Sequence, residues 1–300
     1  MILCFMRLRP LLFASMLLTA GAVGCIRTPL ETFRARPLPA PATAPLRVTF
    51  DRVLNVDYPG GKRLAGWDAT GMVIEKTLAA WYPNLKVRQT LRNPSPEGVR
   101  RALACLPDAG AAEVSVVYLA SRQTPAGLWE FPQGGVRASW ADLLGGAVPR
   151  HPMRLVILDA CHAAAVMRAP EWRGRLAPAA LLAATQVERT YELDVTRRRP
   201  LDLVRRFPLA VSWLKTHMQA EWDGKISFLG FVWLRAYLET DRAPASAADW
   251  AAFIRGCQHE ADAFRTRHNR SLASTVHGYV NGQPGSRPGP DDIPAPAKGP

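Results

Sequence analysis

Apolar positions along this chain switch between two spacings. Leu46 to Leu54 alternates apolar and polar residues, the period of a half-buried strand, and Asn84 to Leu91 does the same. Between them, Asp68 to Trp81 carries its apolar residues at helical spacing, which predicts a helix. Ser95-Pro96-Glu97 opens a second helix that runs to about Leu106, with a capping serine, a first-turn proline and an acid placed favourably for the helix dipole. Ser139 with Asp142, and Ser246 with Asp249, have the spacing of helix-start capping pairs, although Asp reaches back less well than Glu. Leu155 to Leu158 is different in kind: a continuous β-branched and leucine-rich run, the pattern of a strand buried on both faces. Strands alternating with helices predict an α/β fold with a mainly parallel sheet.

Composition adds the frame. With 300 residues and 48% hydrophobic content the chain can build a sizeable core. Arg7 and Arg9 precede an apolar run from Leu11 to Gly24 that ends in small residues and then Cys25. Fourteen residues fall short of the roughly 20 that span a bilayer, so residues 1–24 read as a secretory signal, with Met6 an alternative start. Ala22-Val23-Gly24-Cys25 has the form of a bacterial lipobox, which makes Cys25 the acylated residue. Ile26 stands where an Asp would favour inner-membrane retention, so the expected address is the cell envelope, on the outer membrane where there are two. Residues 25–45 contain five prolines from Pro29 to Pro45 and read as an extended tether, 46–282 as the folded domain, and 283–300 as a disordered Pro/Gly-rich tail. The net charge of +13 would suit nucleic acid in the cytosol, but export and the lack of a zinc finger or stacking-aromatic repeat argue against it. Anionic head groups or other envelope polyanions are the better counterpart.

The chemistry concentrates at one strand exit, where Leu155-Val156-Ile157-Leu158 is followed by Asp159-Ala160-Cys161-His162. Polar residues at the carboxyl end of a buried parallel strand line the crevice where α/β proteins keep their sites. The alternative for Cys161 is a buried small hydrophobe. This segment resembles the nucleophile motif of the caspase and metacaspase family, a strand ending in Asp-x-Cys-His. The resemblance extends in order along the chain: Leu64-Ala65-Gly66-Trp67-Asp68-Ala69 is similar to the family's Asp-Ala helix opening, and Val114 to Ser121 to its preceding strand. Leu128 to Pro132 is similar to its short Leu-x-Pro element, Ser139 to Ala147 to its next helix, and Leu181 to Gln186 to the strand after the nucleophile. It implies a three-layer α/β/α sandwich with a caspase-like sheet, Cys161 as nucleophile, no cofactor, and Asp159 as the acid that binds an Arg or Lys side chain before the scissile bond. The other reading of Asp159 is a carboxylate that accepts local backbone bonds.

One departure limits what the resemblance carries. The family's Ser-Gly-His-Gly falls at Ala120-Ser121-Arg122-Gln123, so Arg122 stands at the catalytic His position and Gln123 at the oxyanion Gly position. No histidine occurs before His151. His151 lies ten residues before Cys161, on the order of 30 Å along a strand. His162 points to the opposite face if the segment is extended, and His277, before Gly278, follows the strand-like Leu272 to Val276. A guanidinium has no acceptor and cannot take a thiol proton. The expectation is a degenerate cysteine peptidase that binds basic peptides or proteins. An active endopeptidase cleaving after Arg or Lys with an unusual base is the alternative, and a thiol-based redox or docking protein the third.

Lesser features complete the reading. Cys105 and Cys257 offer a possible disulfide. Arg197-Arg198-Arg199 is either a maturation site or a solvated loop, and Gly60-Gly61-Lys62 a turn. Cys257, His259, Glu260 and His268 do not form a metal set, because Cys257 and His259 lie about 200° apart on a helix.

Overall fold

The computed structural model of the protein describes residues 38–42, 46–59, 62–108, 113–144, 148–163, 179–185, 192–194, 207–218, 222–268 and 274–280. In chain order the elements are β1 (Val48–Leu54), β2 (Asp57–Tyr58), β3 (Lys62–Arg63), α1 (Ala65–Trp81), β4 (Lys86–Arg92) and α2 (Pro96–Ala104). Then come β5 (Val114–Gln123), β6 (Trp129–Glu130), β7 (Arg137–Ala138), α3 (Trp140–Leu143), β8 (Arg154–Cys161), β9 (Ala179–Thr185) and β10 (Glu192–Asp194). The chain continues with α4 (Pro208–Met218), β11 (Lys225–Ser227), α5 (Phe228–Glu239), α6 (Ala247–His268) and β12 (Ser274–Val280).

The main sheet has the order β12-β9-β8-β5-β1-β4. Every neighbouring pair in it is parallel except β9 with β12. The α/β reading with a mostly parallel sheet therefore holds. Side chains alternate across β5 and β8 as the pleat requires. Val116, Tyr118, Leu155 and Ile157 pack in one apolar cluster with Trp67, Ile74, Leu214, Trp233 and Ile254 of the helices. Val117, Leu119, Val156 and Leu158 pack in another with Val99, Leu103, Trp140 and Leu143.

Local chemistry sets the element ends. Ser95 Oγ accepts from Gly98 N at 3.1 Å, as its capping sequence predicts. Ser139 and Asp142 form a complete capping box, so the shorter Asp suffices where the backbone brings it within 2.9 Å of Ser139 N. That helix is shorter than the sequence suggested, ending at Leu143. Asp249 N likewise donates to Ser246 Oγ at 3.2 Å.

One expectation changes and one open question closes. The end of the tether is not a free spacer: Ala40 N donates to Asp241 O and Ala243 N to Ala40 O, both at 3.0 Å, while Ala42 N donates to Trp81 O at 2.8 Å. Backbone groups that would otherwise stay unpaired thus fasten residues 40–42 to the end of α1 and the corner between α5 and α6. The Cys105–Cys257 bridge is absent, both residues being thiols. Cys105 is exposed at the end of α2, whereas Cys257 is buried in α6, whose apolar side belongs to the other cluster.

Candidate functional site

Asp159 and Cys161 leave β8 on the side of Leu155 and Ile157, two residues apart and therefore on one face. Asp159 is 1% exposed. Its Oδ2 accepts from Tyr118 Oη at 3.1 Å and from Ser227 Oγ at 2.5 Å. Ser227 has a single hydroxyl proton, and the carboxylate is its strongest acceptor, so Ser227 donates to Asp159 and accepts from Gly230 N at 3.1 Å as the cap of α5. Thr70 Oγ1 lies 2.8 Å from Ser227 Oγ, 2.7 Å from its acceptor Gly66 O, and accepts from Ser227 N at 3.2 Å. Burial, reinforced by the Asp159 charge, pushes the Tyr118 hydroxyl well above its ordinary pKa and keeps it a donor. Gly230 lets α5 approach α1: a Cβ there would stand 2.3 Å from Thr70 Oγ1.

Arg122 is brought to Cys161 by strand register. Ala120 pairs with Asp159 and Ser121 with Ala160, so Arg122 lies one step further, level with Cys161 and on the face of Tyr118 and Ala120. After Leu54 the flank of β5 vacated by β1 is occupied by Asn55, Tyr58 and β6, through Asn55 N to Ala120 O at 2.8 Å, Arg122 N to Tyr58 Oη at 2.7 Å and Thr124 N to Leu128 O at 2.9 Å. The other flank faces the end of β8. The Arg122 guanidinium carbon sits 4.3 Å from the Tyr58 ring centroid. Tyr58 Oη donates to Glu130 O at 3.3 Å and lies 3.2 Å from Ser121 Oγ. Burial lifts its pKa to about 12.

Gln123 is placed differently from its neighbour. It lies on the opposite face from Arg122 and is 4% exposed, and both Oε1 and Nε2 are buried without a hydrogen-bond partner. A side chain at the position where the resembled family has glycine is thus folded away beneath the hairpin.

The histidines sort by backbone position. His151 precedes β8, with Nδ1 accepting from Met153 N at 3.2 Å, and more than 20 Å of strand separate it from Cys161. His277 pairs with Leu182, which pairs with Leu158, so its Cα lies two strands and three residues from that of Cys161, roughly 14 Å away. His162 departs from the extended course assumed for it. Its φ of 54° is left-handed, uncommon for any residue but glycine, so the alternation of strand faces does not govern its side chain.

Cys161 itself is 4% exposed. A guanidinium can support a sulfur anion electrostatically but offers it no proton acceptor. The sequence reading missed the hydroxyl set Tyr118, Ser227 and Thr70, and also Tyr58. A tyrosine inside an otherwise apolar strand, whose hydroxyl must find a partner, was the available signal.

It also missed a second buried acid. Asp51, on β1, is fully buried; Arg88 Nη1 is 3.9 Å away, and the Gln89 side chain also favours its charged form. Arg154 is buried nearby and donates to Pro149 O and Pro107 O, both at 2.6 Å.

Cys25, the segments 1–24 and 283–300, Gly60-Gly61 and Arg197-Arg198-Arg199 lie outside the described residues. No helix among the described residues is long and apolar enough to cross a membrane. On α6, Cys257 is buried and His259 exposed, as their 200° separation requires. Compared with protein-family models and with curated proteins, the chain matches none.

Proposed function

We propose that residues 46–282 form a caspase-like domain of three-layer α/β/α architecture that retains peptide recognition and has lost efficient hydrolysis. It binds basic peptide or protein segments and is held at the cell envelope by a lipid on Cys25. One observation carries this reading: Arg122 occupies the position level with Cys161, on the same face of the adjoining strand, where the resembled family has its histidine. A permanently charged guanidinium supports an anion but neither accepts the thiol proton nor returns it to a leaving amine. General acid and base catalysis is worth about 10²- to 10⁴-fold, so hydrolysis falls by that order while binding survives. Asp159 supplies the negative charge for a basic side chain. Its hydroxyl donors Tyr118 and Ser227 favour the charged form of the carboxylate. The lipobox ending in Cys25 supports the address, and nothing implies a cofactor.

A second reading is Cys161-dependent cleavage after Arg or Lys with His162 as the base, favoured by the left-handed turn at His162. Fluorogenic peptides ending in Arg or Lys separate the two. The wild type should show no turnover above the Cys161→Ala variant, while Arg122→His with Gln123→Gly should gain Cys161-dependent turnover. Wild-type turnover at ordinary protease rates would sink the first reading.

A further inference from the structure

We infer that the Arg122 guanidinium, at the carboxyl end of β5, is a receptor for the free C-terminal carboxylate of a peptide: the domain binds the product side of a cleaved chain in preference to an intact one. This rests on the proposed peptide-binding reading and adds to it the chemical state of the bound chain end. Three observations support it. First, the guanidinium of Arg122 is partly exposed, and among the described residues no carboxylate or carbonyl accepts its N–H groups. This contrasts with Arg52, Arg63, Arg92 and Arg137, each paired with an acid within 3.3 Å. Second, the guanidinium carbon sits over the Tyr58 ring at 4.3 Å and Tyr58 Oη accepts the backbone N–H of Arg122, so both ends of the residue are held. A guanidinium held in this way can meet a carboxylate with two parallel N–H groups in a bidentate pair. Third, register puts Arg122 level with Cys161, the place where the reacting carbonyl of a bound peptide lies in the proposed site. A chain that ends there presents two anionic oxygens to the guanidinium. A chain that continues presents a neutral amide, which offers one carbonyl oxygen and leaves most of the fork desolvated and unmatched.

The test uses the full chain and three fluorescein-labelled peptides of one sequence with arginine last: one with a free carboxylate, one with a C-terminal amide, and one extended by an alanine amide. Fluorescence anisotropy should show the free acid binding about tenfold tighter than either neutral form. Arg122→Gln should reduce that ratio below about twofold by weakening the free acid more than the amide, and Arg122→Lys should restore part of it. Equal wild-type affinity for the acid and the amide overturns the carboxylate receptor and leaves the peptide-binding proposal standing. Failure of wild type to bind any of the three overturns both. Cys161-dependent cleavage of the extended peptide overturns the non-hydrolytic reading, and the acid-to-amide ratio still decides the carboxylate receptor. Should Arg122→Gln fail to fold, as circular dichroism would show, the wild-type comparison of acid and amide decides alone.

Discussion

Each face of the parallel sheet buries a carboxylate, and the two are treated in opposite ways. At the carboxyl end, Asp159 accepts two hydroxyl hydrogen bonds, from Tyr118 and Ser227. Nearer the amino end, Asp51 faces Arg88 at 3.9 Å and the Gln89 side chain, with Arg154 behind. Hydroxyls solvate a charge without cancelling it, whereas guanidinium groups offset it within the fold. The first arrangement ties β8 to β5 and to the cap of α5 through hydroxyls. The second is an internal charge cluster that holds strands β1, β4 and β8 in place, and its acid is poorly satisfied enough that burial outweighs the pull of Arg88 and raises its pKa.

The largest effect should come from breaking the amino-end cluster. Arg154→Met leaves Pro149 O and Pro107 O without their donor and Asp51 with one cation fewer, which should destabilise the fold by about 3–5 kcal/mol in urea unfolding. At the other end the comparable change is smaller. Ser227→Ala removes one donor to Asp159 together with the cap of α5, for a loss of about 2–3 kcal/mol. A loss for Arg154→Met no greater than that for Ser227→Ala would mean that the two carboxylates are equally structural. Gly230→Ala tests the same joint sterically: its Cβ would meet Thr70 Oγ1 at 2.3 Å, and forcing α1 and α5 apart should cost about 1–3 kcal/mol. Adding Thr70→Ala should recover part of that loss.

How much of this contrast was legible in the chain depends on the distance over which each feature is decided. The strands and caps were readable because a run such as Leu155 to Leu158, or Ser95-Pro96-Glu97, carries its cause within a few residues. That the Arg122 backbone falls level with Cys161 follows from the register of β5 on β8, which no local pattern in the chain shows. The partners of Asp159 were not readable. Tyr118 is 41 residues away and Ser227 is 68, and Thr70 meets Ser227 across 157, so no local pattern brings the three hydroxyls together. Nor was Asp51, whose alternation with Phe50 and Arg52 looks like any solvent-facing strand position until α2 covers it. The extended geometry assumed for His162 failed because the strand ends one residue earlier, at Cys161.

The sharpest way to separate the two acids is pH. For Asp51 the folded-state pKa is raised, so the native protein holds this proton more tightly than the unfolded chain. Its contribution to stability is therefore fully present below the unfolded value of about 3.9 and is lost as pH rises from there through the raised folded value. The slope cannot exceed about 1.4 kcal/mol per pH unit for one group. Asp51→Asn cannot titrate at this position, so the stability of wild type minus that of Asp51→Asn, measured by urea unfolding at a series of pH values from 3 upward, should decline with rising pH. A difference that rises over this range would mean that Arg88 and Arg154 outweigh burial and that Asp51 is a fully formed ion pair.

The smallest effect on stability should be that of Arg122→Gln. The guanidinium contributes a stacking contact with Tyr58 and no internal ion pair, so its loss should change unfolding free energy by no more than about 1 kcal/mol. A residue that fixes the fold at one end of the sheet, Arg154, and a residue that can be removed at the other, Arg122, are both arginines on strands of the same sheet; they differ in whether their donors are already taken. If Arg122→Gln unfolds as readily as Arg154→Met, then Arg122 serves the scaffold, and its guanidinium is no longer available to read a ligand.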